Sequence, residues 1–300
     1  MIKLDFLKLE KFSCALPRMY KSGWLCCNKN SILEVLTEDC LLKMEDDSAW
    51  SAELEAIHEE PTRTGWIEVY ERNSVLKSFG ELELNRNNII LEFGASSGYM
   101  VEEIKAAYPN NCYIAVDLYD DGLKRSYQRN KDILHIKCDM TNAPFKDNSF
   151  DLVYALNVLE HIEDDEKTIG ECYRILKKGG YCLFVVPRGQ HLYDYFDEML
   201  YHKRRYKLNE LKDKAEAVGF KSIKRFHFAW LVYPVFWLKK RINQIVGRYI
   251  SREKKMKRVE EDLNSAMEST LGTYAMRIEG FLANFINPNF GVREFIVLKK

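Results

Sequence analysis

Residues 88–99 read N-I-I-L-E-F-G-A-S-S-G-Y, and no other stretch limits the architecture as strongly. Ile89, Ile90, Leu91 and Phe93 make a short continuous apolar run, which suits a strand buried on both faces of a parallel sheet. Gly94 and Gly98 then bracket Ala95, Ser96 and Ser97, and the helical pattern Met100, Val101, Ile104, Ala107 begins at once. The segment therefore reads as strand, tight small-residue loop and helix N-terminus, a geometry that lets a ligand approach the backbone closely.

Such loops occur in many folds, so the next acidic residue carries weight. Cys112 to Val116 reads as a second buried strand and ends in Asp117, 23 positions after Gly94. An acid at the tip of the second strand can accept both hydroxyls of a ribose, as a nicotinamide dinucleotide or S-adenosylmethionine would require. The dinucleotide reading is the weaker, because G-A-S-S-G lacks the expected glycine spacing.

From residue 88 strand and helix patterns alternate. Strands are expected at 88–93, 112–117, 133–138, 150–156, 181–187 and 221–228, with helices at 98–108, 121–129, 164–178 and 208–218. Alternation of this kind argues a mainly parallel sheet with helices on both faces. Pro109-Asn110, Gly179-Gly180 and Gly219 stand where helices should stop, and 292–298 supplies one more strand. The expected organisation is an N-terminal extension at 1–84, a core at 85–229, a helical, aromatic and basic insertion at 230–290, and a closing strand at 291–300. Within the extension, 14–40 reads as irregular, 45–60 as a helix stopped by Pro61, and 66–79 as a helix near the mouth of the ligand site.

Taken in order, L-E-F-G-A-S-S-G at 91–98, Asp117, K-C-D-M at 137–140 and F-D-L-V-Y-A-L-N-V-L-E-H-I at 150–162 resemble the successive motifs of class I S-adenosylmethionine-dependent methyltransferases. E-C-Y-R-I-L-K-K-G-G at 171–180 followed by Y-C-L-F-V-V-P is similar to the quinone-biosynthesis-like branch, type 11. The resemblance covers about 85–230 and implies a Rossmann-like α/β fold: a mainly parallel seven-stranded sheet with an antiparallel last strand. It implies S-adenosylmethionine as cofactor and S-adenosylhomocysteine as product. Glu92, Gly94, Ala95, Ser96 and Gly98 would hold the methionine end; Asp117, with Leu118 beside it, the ribose; Asp139 and Met140 the adenine. Asn157 and Val158 would line the pocket beneath the sulfonium. Where the family has a central glycine this chain has Ser96, whose Cβ narrows the approach and disfavours positive φ. That departure motivates an alternative, a binding protein that keeps the fold without turnover.

Methyl transfer is an in-line displacement at carbon, so alignment and desolvation are the main tasks, with proton removal if the acceptor is a hydroxyl. His161 in L-E-H-I and His202, which opens H-K-R-R-Y and resembles the family's H-x-R-x-Y element, are the candidate catalytic groups. Arg204, Arg205 and Tyr206 read as surface or lid residues, and a basic pair there would suit an anionic acceptor.

Formal charge balances at 45 against 45, but residues 201–260 hold eighteen Lys and Arg against five acids. Within them, F-A-W-L-V-Y-P-V-F-W-L at 228–238 is too short to span a bilayer. Behind it Ile242, Ile245, Val246, Tyr249 and Ile250 trace one helical face among cations. The segment 226–258 thus reads either as an in-plane helix on an anionic membrane or as a cap or homodimer contact. The membrane reading favours O-methylation of a lipid-linked acceptor, a glycan precursor or a prenylated aromatic; a soluble small molecule is the alternative. A nucleic-acid substrate is disfavoured, because N-V-L-E replaces the N/D-P-P-Y/F type of motif. Of eight cysteines, those in predicted core strands read as reduced, buried hydrophobes, and the early ones lack C-x-x-C spacing. No metal is expected, and the N-terminus is too charged for a signal peptide, which places the chain in the cytoplasm, with peripheral membrane contact.

Overall fold

A computed structural model describes residues 33–35 and 64–300, apart from 83, 85, 86 and 144. The expected helix at 45–60 and the cysteines from 14 to 40 lie outside the described residues. Strand β2 (Ile89–Phe93) is buried along its whole length, as its unbroken apolar run requires. It pairs in parallel with β3 (Cys112–Asp117) on one side and β5 (Phe150–Leu156) on the other, while β4 (Leu134–Cys138) extends the β3 side and β6 (Leu176–Pro187) the β5 side.

Beyond β6 the direction changes. Strand β8 (Arg293–Lys299) runs antiparallel between β6 and β7 (Lys221–Phe228), so the full order is β1-β4-β3-β2-β5-β6-β8-β7. Seven of these strands are the expected sheet with its antiparallel last strand. The eighth, β1 (Leu33–Val35), falls in a stretch read as irregular; it pairs antiparallel with β4 and covers an edge that would otherwise present an open ladder.

Helices cover both faces. On one, α4 (Asp165–Ile175) and α6 (Glu210–Ala217) bury Ile169, Cys172, Ile175, Leu211 and Ala215 against the sheet. On the other, α1 (Trp66–Glu81) and α2 (Tyr99–Ala107) contribute Val75, Phe79, Met100, Val101 and Ile104. The strand order reverses between β2 and β5, and outside the carboxyl ends of strands at such a switch point open α/β sheets form the crevice that binds ligands.

The helix expected at 164–178 ends at Ile175, and Leu176 already pairs with Phe150. The register then shifts, Tyr181 opposing Leu152, so Gly179-Gly180 sits in a strand irregularity instead of a helix stop. Gly179 takes φ +81° and donates its amide to the Lys300 carbonyl at 2.9 Å. Pairing across the sheet has overridden the local helical pattern.

Helix α3 (Asp120–Arg129) holds Ser126, whose Oγ lies 2.9 Å from Nε2 of the fully buried His135 on β4. Burial pulls the His135 pKa down from 6.5 to about 4. The unfolded chain takes up this proton below pH 6.5 and the folded chain does not until about pH 4. Stability therefore falls as pH drops through that window, by about 3 kcal/mol for this one group. Urea melts at pH 7 and pH 4.5 should show a smaller acid loss in His135→Gln than in the parent; equal losses would refute the assignment.

The chain between β7 and β8 forms α7 (Tyr233–Val246), α8 (Arg252–Glu268) and α9 (Thr270–Leu282). Helix α9 packs on α1, and Gly272 is needed there because a Cβ would lie 2.7 Å from the Trp66 ring. Fully buried Glu279 accepts the amides of Ala229 at 2.6 Å and Leu231 at 2.9 Å, fixing the turn out of β7. The apolar helical face expected to continue from Ile242 to Ile250 is interrupted. Helix α7 stops at Val246, Gly247 comes close to the ring of Tyr195 on the short helix α5 (Tyr195–Met199), and Ile250 turns in against Tyr195, Leu200 and Val259.

Candidate active site

The crevice is built by two loops. The first leaves β2: Gly94 and Ala95 donate amides to the Val116 carbonyl at 2.8 and 2.9 Å, and Gly98 donates to Ala95 at 2.7 Å. Gly94 and Gly98 take φ of +73° and +75°. A Cβ on Gly94 would lie 2.3 Å from Val158 Cγ2, so the second loop, leaving β5, sits directly on the first. A Cβ on Gly98 would lie 2.0 Å from Ser126 Oγ.

Ser96 takes φ +44° with its side chain exposed, and its amide donates to Asp117 Oδ2 at 2.8 Å. The substitution for glycine is accommodated with the left-handed backbone kept and the Cβ pointing away from the loop's packing. A side chain in this region carries strain of about 1 kcal/mol. Ser96→Gly is expected to raise stability by about that amount in urea melts, and a loss of stability would show that the hydroxyl makes a contact of greater worth.

Asp117, at the end of β3, accepts a second amide, Tyr119 N at 3.0 Å on Oδ1; Leu118 beside it is exposed. Burial pushes the Asp117 carboxyl above its usual range, and the amides of Tyr119 and Ser96 oppose that shift. Glu92, buried on β2, accepts the Val101 amide at 3.1 Å. Burial raises its carboxyl well above the usual carboxylate range, an arrangement that a bound cation would relieve. Asp139 uses both oxygens on Thr141, taking its amide at 2.8 Å and its hydroxyl at 2.9 Å, and so fixes the turn after β4. Met140 is buried in the core beside Ala143 and Phe145.

Asn157 turns the chain at the end of β5 with φ +54° and donates to Glu71 Oε1 at 2.9 Å. Glu71 is buried on α1 and pairs with Arg293 of β8 at 2.6 Å, while the other arm of Arg293 holds Glu68 at 2.7 Å. Helix α1 is thereby fastened to the loop after β5 and to β8. Glu68, Glu71 and Arg293 went unread in the sequence because the partners are more than two hundred positions apart. A further pin, Arg129, lies over the Tyr99 ring at 4.5 Å and donates to the Ser97 carbonyl.

The second loop continues into Glu160 and His161, which meet His202. The two imidazoles lie edge to face with centroids 4.7 Å apart. Asp197 Oδ1 accepts His202 Nδ1–H at 3.0 Å and Arg205 Nη1–H at 2.7 Å. Asp197 is held well below the usual carboxylate range by Arg205 and its other partners despite its burial, so it remains an acceptor. The His202 proton is thus fixed on Nδ1, and Nε2 is left with its lone pair. Burial lowers the His202 pKa against the pull of Asp197, which keeps the ring neutral at pH 7. Burial raises Glu160 to about 8.

The rest of H-K-R-R-Y departs from expectation. Arg205 is buried on Asp197 and the Arg188 carbonyl, Arg204 holds Asp165 at 2.7 Å, and fully buried Tyr206 donates to Asp165 at 2.7 Å. These are internal struts, so the basic pair is spent on carboxylates of the chain and does not face an acceptor. Lys240 of α7 completes the group, bridging Asp194 at 2.7 Å and Asp197 at 2.8 Å.

The strand order and the flanking helices define a Rossmann-like class I methyltransferase fold. Residues 91–184 match the family model described as "Methyltransferase domain". Among curated relatives, an uncharacterized protein of Methanocaldococcus jannaschii is 30% identical over 141 residues, covering 45% of this chain and 65% of its own length. The phosphoethanolamine N-methyltransferase of Plasmodium falciparum is 26% identical over 158 residues, covering 49% and 59%. The chain thus spans less than two thirds of the length of either. A solved structure of Haemonchus contortus phosphoethanolamine N-methyltransferase 2 with S-adenosyl-L-methionine superposes with TM-score 0.58 at 19% identity, covering 85% of this chain and 58% of that one.

Proposed function

We propose that this chain transfers a methyl group from S-adenosylmethionine to an oxygen of a membrane-proximal or lipid-linked acceptor, such as a glycan precursor or a prenylated aromatic. The carrying observation is the convergence of the Gly94–Gly98 loop, Asp117 and the Asn157–Val158 turn on one crevice at the switch of strand order. The residues fit the group: the loop keeps a left-handed backbone at Gly94, Ser96 and Gly98, and among the described residues no cation pairs with the buried carboxyl of Glu92. S-adenosylmethionine supplies, when bound, a methyl group on a cationic sulfur.

The chain's own residues do the rest. Glu92 and the backbone from Gly94 through Ala95 and Ser96 to Gly98 hold the methionine end, Asp117 with Leu118 the ribose, and Asp139 the adenine, with Met140 supporting that turn from the core. Asn157 and Val158 orient the reacting end, and the turn they form is rigid because Asn157 is tied to Glu71. His202 Nε2 accepts the acceptor's proton, with Asp197 holding the ring in the required tautomer; His161 packs the ring in place.

Membrane proximity is supported by the insertion. Val235, Leu238, Ile242 and Ile245 are exposed along one side of α7, with Tyr249 exposed beyond its end, and Leu271, Tyr274, Ile278 and Phe281 are exposed along α9, with Phe285 in the turn that follows. Exposed apolar area on this scale marks an interaction surface, and the exposed cations Arg248, Arg252, Lys254, Lys257 and Arg258 of the same insertion suit anionic headgroups. No helix among the described residues is long and apolar enough to cross a membrane. A soluble small molecule is the second reading, favoured by the phosphoethanolamine N-methyltransferases among the relatives.

Calorimetric titration with S-adenosylmethionine, S-adenosylhomocysteine and NAD tests the cofactor. Micromolar binding of the first two and none of NAD is expected; the absence of all three would withdraw the enzyme reading. Co-sedimentation with vesicles of anionic and of zwitterionic lipid then separates the acceptors, binding to neither favouring the soluble one.

A further inference from the structure

Glu160, His161 and His202 offer one ligating atom each, and these atoms lie within 4.8 Å of one another. Glu160 is buried, and its Oε2 has no hydrogen-bond partner among the described residues. A buried carboxylate oxygen left unsatisfied is costly unless something occupies it. Beside it, His202 gives Nδ1–H to Asp197 at 3.0 Å and directs its other nitrogen elsewhere. A carboxylate orienting an imidazole whose far nitrogen is free is the support that metal-ligating histidines receive.

We propose that Glu160, His161 and His202 bind one divalent transition ion of the zinc class. Two imidazoles and one carboxylate suit Zn²⁺, and a three-ligand set leaves a position open for an oxygen of the acceptor. Tetrahedral ligands at about 2.1 Å from the ion stand roughly 3.4 Å apart, so the three side chains close inward by small rotations on binding. Glu160 and His161 follow Asn157 and Val158 on the same loop, which places the ion at the acceptor side of the crevice. With the ion bound, His202 acts as ligand and the task of lowering the acceptor's proton affinity passes to the metal. His161 and His202 stand 41 positions apart, and the fold alone brings them together.

The test uses the untagged full chain, stripped with a chelator and titrated with Co²⁺ alone under visible absorption, then with Zn²⁺ as competitor. One equivalent of Co²⁺ per chain is expected, with ligand-field bands, no sulfur-to-metal charge transfer, and displacement by Zn²⁺. Glu160→Gln and His202→Gln should each weaken binding at least tenfold. Because the buried Glu160 loop could be upset by its own substitution, His161→Gln serves as a second variant with the same expected loss. Circular dichroism verifies the fold of each, and Zn²⁺ should raise the melting temperature of the parent more than that of any variant. Absence of stoichiometric binding, sulfur charge-transfer bands, or unchanged affinity in the folded variants would overturn the proposal. No readout involves S-adenosylmethionine or methyl transfer, so failure here is distinguishable from failure of the proposed function.

Discussion

Asp117→Ala loses at least a hundredfold in affinity for S-adenosylmethionine. Hydrogen bonds to a charged acceptor contribute about 1.5–3 kcal/mol each, and a ribose offers two hydroxyls to this carboxylate, so a loss of about 3 kcal/mol is a lower bound. The substitution also removes the acceptor for the amides of Ser96 and Tyr119, which loosens the loop proposed to receive the methionine end. Asp117→Asn, which keeps one oxygen, should fall between the two. Calorimetry on folded protein decides the matter, and an affinity within threefold of the parent for Asp117→Ala would move the ribose site elsewhere.

Lys240→Met destabilises the protein by about 4 kcal/mol, the range found when one partner of a buried ionic group is removed. The ammonium is buried between Asp194 and Asp197, and Asn243 Nδ2 donates to the same Asp194 at 2.8 Å. Without it two buried carboxylates face each other, with Arg205 as the close cation left among the described residues. Because Lys240 belongs to α7, the loss should be felt first as release of the insertion: limited proteolysis is expected to cut within 230–290 before the core. A change in the urea midpoint worth less than 1 kcal/mol would mean that α7 is held by its apolar contacts instead.

The parts of the fold that repeat a local rule were legible in the sequence. Buried runs such as Ile89–Phe93 and Cys112–Asp117, stops such as Pro109-Asn110, and the strand-end position of Asp117 are written in neighbouring residues. What was illegible is long-range pairing. Leu176 has a helical context and becomes a strand because Phe150 offers a ladder partner. Arg204 and Arg205 have the composition of a surface and are buried because Asp165 and Asp197 await them. Ser96 was legible as a departure, and its tolerance depends on a side chain that the loop turns outward. The Glu160–His161–His202 cluster joins two loops that no spacing rule connects.

Strand β8 lies in the interior of the sheet although the chain reaches it after the whole helical excursion. As the polypeptide emerges from the ribosome, β6 and β7 are both outside while the slot between them stands empty, each exposing an unsatisfied edge. The half-finished sheet is then a template for any stray extended segment, including the β8 of a neighbouring nascent copy. The three helices that intervene therefore prolong the period in which exchange between copies can occur, and slowing translation across them should increase the yield of swapped dimers.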